Sequence, residues 1–103
     1  MIPNFDTATE IREAIRIRAR SRRNALGLTQ NVLAARSGVS LGTLKRFEHT
    51  GEVSFTTLLA LAEALDALDG FHSVFPMIEA RTLEDVERQS QPPKQVRARR
   101  KIA

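Results

Sequence analysis

The fold is decided by residues 26–65, LGLTQNVLAARSGVSLGTLKRFEHTGEVSFTTLLALAEAL. Thr29 is suited to cap a helix running to about residue 36, with Val32 and Leu33 facing inward. Gly38 falls where a helix end needs a left-handed residue. Ser40 then caps a helix over 41–49, whose Leu44 and Phe47 stand three apart on one face, and Gly51 ends it. Ser54 caps a further helix over 55–65, with Leu58, Leu61, Ala62 and Leu65 as its apolar face.

Two short helices joined by a turn of three or four residues containing Gly, here Ser37-Gly38-Val39-Ser40, form a helix-turn-helix unit. So short a pair is not stable alone, and neighbouring helices must pack around it. Val39 is expected to plug the gap between the two helices. Ser40, Gly42 and Thr43 keep the start of the second one slim, as entry into a DNA major groove requires.

Upstream, residues 9–26 lack Gly and Pro, and Gly27 then punctuates the chain. Ile11, Ile15, Ala19, Arg22 and Leu26 recur there at three- and four-residue steps. Arg22 is expected to lie along that stripe by its aliphatic stem. Downstream, a weaker helix is expected over 69–75, stopping before Pro76, and Thr82-Leu83-Glu84-Asp85 can open one more helical turn. From residue 89 the chain is rich in Gln, Pro, Arg and Lys and nearly free of apolar residues. No strand pattern and no repeat occurs. The expectation is an all-α, compact five-helix domain over 9–78, an N-terminal arm over 1–8, a short helical extension over 79–88 and a basic flexible tail over 89–103.

Composition narrows the chemistry. With 103 residues, 42 % of them apolar, the chain makes one small globular domain. It contains no cysteine, so disulfides and thiolate metal sites are excluded. Its apolar runs are far too short to cross a bilayer, and the acidic, Pro-containing start does not read as a signal peptide. A soluble, cytoplasmic protein without membrane partners is expected. The two histidines, His49 and His72, have no paired ligand spacing, and no Gly-rich phosphate loop is present. Glu84, Asp85 and Glu87 read as a solvated helical face. No catalytic residues, no metal and no cofactor are expected, and the protein is not expected to be an enzyme.

The net charge of +4 hides a strong segregation. Residues 12–46 carry nine Arg or Lys and one acid, and residues 47–87 carry nine acids and one Arg. Residues 88–103 carry six basic residues and no acid. Such segregation suits a polyanion-facing surface better than simple solvation.

The stretch 26–65 closely resembles the XRE, or lambda-repressor-like (Cro/CI-type), DNA-binding domain. The likeness extends over about 11–65. It rests on Gly-Leu-Thr-Gln at 27–30, Leu-Ala at 33–34, Ser-Gly-Val-Ser at 37–40, Phe-Glu at 47–48 and the Leu-rich fourth helix, taken together. The resemblance implies double-stranded DNA as partner and assigns roles by position. Gln30 matches a glutamine that touches a DNA phosphate, or else is a plain first-turn residue. Ser40, Leu41, Gly42, Thr43 and Arg46 match recognition-helix positions facing bases or flanking phosphates. Arg46 can donate bidentately to guanine O6 and N7, or be a solvated arginine. Lys45 points sideways toward phosphate. Leu41 either meets a thymine methyl or packs on its own domain. The resemblance further implies a structural, partly buried ion pair between Arg23 and Glu48.

The Leu-Gly at 41–42 departs from the polar or basic pair common in that family, which shifts specificity toward Thr43, Arg46 and DNA shape. Leu68, Phe71, Val74, Phe75, Met77 and Ile78 either close the domain's own core or form a dimer surface. The family implies a homodimer acting, most often as a repressor, on a two-fold operator with half-sites about 34 Å apart. Lys94–Lys101, with five positive charges in eight residues, is either a solubilising end or a DNA-binding arm. Residues 40–48 with 51–55, followed by Ala-Leu-Asp and a basic tail, also resemble small XRE regulators that accompany HipA-type kinase toxins, so a HipB-like antitoxin with a HipA-like kinase toxin as partner is implied as well. A protein-interaction adaptor is the reading from a different class.

Overall fold

The computed structural model describes residues 7–78 and 81–91. Within them the chain is all-helical and without strands: α1 (Ala8–Ala25), α2 (Gln30–Ser37), α3 (Leu41–Thr50), α4 (Phe55–Ala64), a 3-10 turn (Leu68–Phe71) and α5 (Leu83–Ser90). The chain forms two compact units that part between His72 and Ser73.

Each start is fixed by a short oxygen-bearing side chain. The hydroxyls of Thr29, Ser40 and Ser54 accept the backbone N–H of Val32, Thr43 and Thr57 at 3.1, 3.2 and 3.1 Å. α1 starts earlier than the apolar pattern suggested. Thr7 and Glu10 form a reciprocal capping box, with Glu10 N–H on Thr7 Oγ1 at 3.1 Å and Thr7 N–H on Glu10 Oε1 at 3.2 Å. Gly38 and Gly51 end α2 and α3 in the left-handed region, at φ of 75° and 81°.

In the first unit α1 packs on α3, and α2 on both α3 and α4. The core is Leu33, Ala34, Leu44, Phe47, Leu61 and Leu65, with Ile15, Ala19, Leu28, Val39 and Leu58 packed around it. Val39 thus fills the turn between α2 and α3. Of the two α2 residues expected to face inward, Leu33 is 1 % exposed and Val32 is 38 % exposed. Adjacent helical positions point about 100° apart, so a two-turn helix against one core buries only one of them.

The fifth helix expected over 69–75 is only the 3-10 turn Leu68–Phe71. Gly70 weakens it, and Phe75 takes a positive φ of 59° ahead of Pro76, whose ring bars helical geometry in the residue before it. Phe71 meets Phe55 edge-on, with ring centroids 6.3 Å apart. Val74, Phe75, Met77 and Ile78 are all exposed, so these four close no core of their own among the described residues.

α5 is longer than the single turn expected and includes Gln89 and Ser90, which composition assigns to the tail. Thr82 caps it by accepting Asp85 N–H at 3.0 Å. Residues 92–103 of the expected tail, residues 1–6 of the expected arm and residues 79–80 of the expected extension lie outside the described residues.

Candidate nucleic-acid interface

α3 is divided by its own periodicity. Leu44, Phe47 and Glu48 are buried, while Gly42, Thr43, Lys45 and Arg46 are exposed. Ser40, just ahead of the helix, is exposed as well, but its hydroxyl is committed. It accepts Thr43 N–H and donates to Thr43 Oγ1 at 2.8 Å. Leu41 is half-buried and packs against the core.

A buried polar cluster holds the start of α2 and the body of α3 to α1. Arg23 Nε donates to Glu48 Oε2 at 2.7 Å and Arg23 Nη2 to Glu48 Oε1 at 3.0 Å, a bidentate pair between two buried side chains. Arg23 Nη1 also donates to the Leu28 carbonyl at 2.9 Å, fastening the loop between α1 and α2. Arg16 Nη1 donates to the Glu48 carbonyl at 2.9 Å.

Gln30, named from sequence for a possible phosphate contact, is half-buried, and its Nε2 donates to Glu48 Oε1 at 2.8 Å. Its amide is therefore oriented by α3 and keeps one further N–H for another acceptor.

Burial is the largest single influence on the Glu48 carboxyl and pushes it up. The hydrogen bonds from Arg23 and Gln30, with the charges of Arg23 and Arg20, together outweigh burial and hold it below its ordinary value. The hydrogen bond to Glu48 raises Arg23 in turn, against its own burial.

Arg46 has a different partner. Its Nε and Nη2 both donate to Glu52 Oε1, at 3.1 and 2.5 Å. The six-residue separation across a helix end carries no periodic signal, so nothing in the pattern marks the pair. Arg22 is likewise displaced from its expected place on the apolar stripe. It is exposed, and its Nε and Nη2 donate to the carbonyls of Leu65 and Asp66 at 2.6 and 2.7 Å.

Among the described residues no group of three or more His, Cys, Asp or Glu could hold a metal ion. No helix there is long and apolar enough to cross a membrane.

Two short helices set at a glycine turn, braced by a longer helix before and a Leu-rich one after, define a helix-turn-helix domain. The chain carries such a domain of the helix-turn-helix family HTH_3, the XRE or lambda-repressor-like group, matched over residues 20–69. The match leaves out the first twelve residues of α1, those that supply Arg12 and Arg16. No curated protein matches the chain significantly. The chain is a DNA-binding helix-turn-helix regulator.

Proposed function

We propose that the protein is a cytoplasmic transcriptional repressor that binds its operator sequence-specifically as a homodimer, with α3 in the major groove. One observation carries the reading. α3 commits Leu44, Phe47 and Glu48 to the interior and presents Gly42, Thr43, Lys45 and Arg46 on one exposed face. In this reading Arg46 contacts guanine O6 and N7, and Lys45 and the remaining Gln30 N–H contact phosphates. Ser40, Gly42 and Thr43 allow close backbone approach, and Leu41 offers a thymine methyl only its exposed edge.

The homodimer is supported by the exposed Phe75, Met77, Ile78 and Leu83 of the second unit, 93, 78, 81 and 75 % accessible in one chain. The same residues favour a second reading, an antitoxin whose partner is a HipA-like kinase toxin. Copurification of such a kinase decides for it.

The experiment is DNA binding by wild type and Arg46→Ala, on promoter DNA from the protein's own locus and on scrambled DNA, at two salt concentrations. A specific complex weakened by about 1–3 kcal/mol in the variant supports α3 as the reader. Equal, weak binding of both proteins to both DNAs overturns the reading and leaves the protein-interaction adaptor.

A further inference from the structure

Arg46 stands in the last two turns of α3, and Glu52 lies just beyond the helix. The two hydrogen bonds between them use only one edge of the guanidinium, the Nε side. Nη1 and the second proton of Nη2, the terminal fork, make no hydrogen bond among the described residues. The side chains are 69 and 54 % exposed, and an ion pair so exposed contributes little to stability.

The backbone beneath the pair is nonetheless tightly built. Thr50 Oγ1 donates to the Arg46 carbonyl at 2.8 Å and accepts Glu52 N–H at 3.1 Å, so one hydroxyl bridges the two backbones. Between them Gly51 closes α3 with its N–H on the Phe47 carbonyl at 2.7 Å. The Arg12 stem lies over Gly51, where a Cβ would come within 2.7 Å of Arg12 Cγ. The hydrogen bond and charge of Arg46, with a smaller share from Arg12, hold the Glu52 carboxyl below its ordinary value, against slight burial. Glu52 is thus a carboxylate at neutral pH, with two arginines at hand.

We propose that Glu52 is a positioning residue for sequence discrimination. It clamps the side edge of Arg46 so that the terminal fork faces outward for a paired acceptor such as guanine O6 and N7, while its negative charge discourages lone phosphates. The inference rests on the reading of Arg46 as the base-contacting residue. An unrestrained arginine must be ordered on binding, and a pre-ordered fork loses less freedom for each bond it makes. An arginine already neutralised by a carboxylate also gains little from counterion release, which feeds non-specific binding. Both effects widen the gap between a cognate duplex and any other.

The test uses the full chain as wild type, Glu52→Gln, Arg46→Ala and the double variant. The probes are a duplex selected by the wild-type protein from a random-sequence pool and a scrambled duplex of the same composition. Glu52→Gln is expected to weaken the selected duplex about 3–10-fold, the loss of one ordered side chain. It is expected to strengthen the scrambled duplex about twofold through the lost negative charge. In the Arg46→Ala background the same change should leave the ratio of the two affinities where it was, and Glu52→Asp should retain most of the wild-type ratio. Melting temperatures should stay level, since the pair is exposed.

Glu52→Gln tightening both duplexes equally overturns the proposal, because Glu52 then only competes with DNA. Unchanged binding to both also overturns it. A loss of discrimination that persists in the Arg46→Ala background assigns the effect to another route and overturns it too. If Arg46→Ala alone binds the selected duplex like wild type, the base-contacting reading falls, and this inference with it.

Discussion

Glu48 is the residue on which α1 and α2 converge: Arg23 and Gln30 bond its carboxylate, and Arg16 bonds its carbonyl. Taking two charges out of water costs about as much as their attraction returns, so the pair's worth lies in what happens when one member is lost. Glu48→Ala leaves Arg23 buried and uncompensated, and should destabilise the domain by about 3–5 kcal/mol in urea unfolding. Arg23→Met combined with Glu48→Leu should be far milder than either single change. A single variant costing under about 1 kcal/mol would show the pair to be dispensable. The pH dependence has a definite sign. Because the fold holds the Glu48 carboxyl below its ordinary value, the unfolded chain takes up that proton first as the solution is acidified. The contribution is therefore complete above about pH 5 and declines as pH falls through and below about 4.3, so the acid loss should be shallower in Glu48→Ala.

The end of α4 shows how an element is completed by a residue far away in sequence. Asp66 occupies the left-handed position after Leu65, at φ of 56°, with Ala67 N–H on Ala62 O at 2.8 Å and Asp66 N–H on Glu63 O at 3.1 Å. That is the double bond pattern usually closed by Gly. Aspartate tolerates the conformation better than most residues but still bears a steric cost, and the Arg22 hydrogen bonds to Leu65 O and Asp66 O hold the turn in place. Asp66→Gly should stabilise the domain by about 0.5–1 kcal/mol in thermal or urea unfolding. Destabilisation instead would mean that the Asp66 side chain itself contributes. The same element explains what sequence could reveal. Thr29, Ser40, Ser54, Thr82, Gly38 and Gly51 act within four residues of their own position, and each ends or starts a helix where local chemistry indicated. Arg22, Arg16, Gln30 and Glu52 act on partners brought near by packing, 43, 32, 18 and 6 residues away. A long side chain can reach in many directions, so its partner depends on the assembled fold and not on periodicity. The Arg23–Glu48 pairing was named from family resemblance, and nothing in the 25-residue spacing itself indicates it.

At the scale of the whole molecule the charges are strongly segregated along the chain. Residues 12–46 carry a balance of +8 and residues 47–87 one of −8, from nine basic against one acidic and one basic against nine acidic. In the first segment part of the positive charge is already spent: Arg23 on Glu48, Arg46 on Glu52 and Arg16 on Glu13. An arginine so neutralised releases few counterions when DNA arrives, so the domain alone should show a modest salt dependence. The five positive charges of Lys94–Lys101 have no acid within their segment, in which every charged residue from Arg88 onward is basic. If those charges engage phosphates, each contributes about 0.9 to the slope of log affinity against log salt. A chain ending at Gln91 should then bind with a slope shallower by up to about 4.5, equally on its operator and on scrambled DNA, because a charge contact carries no base information. Discrimination between the two duplexes would stay as it was if α3 is the reader, as proposed. An unchanged slope would assign the basic residues to solubility, and a loss of discrimination on truncation would mean that the tail reads sequence as well as charge.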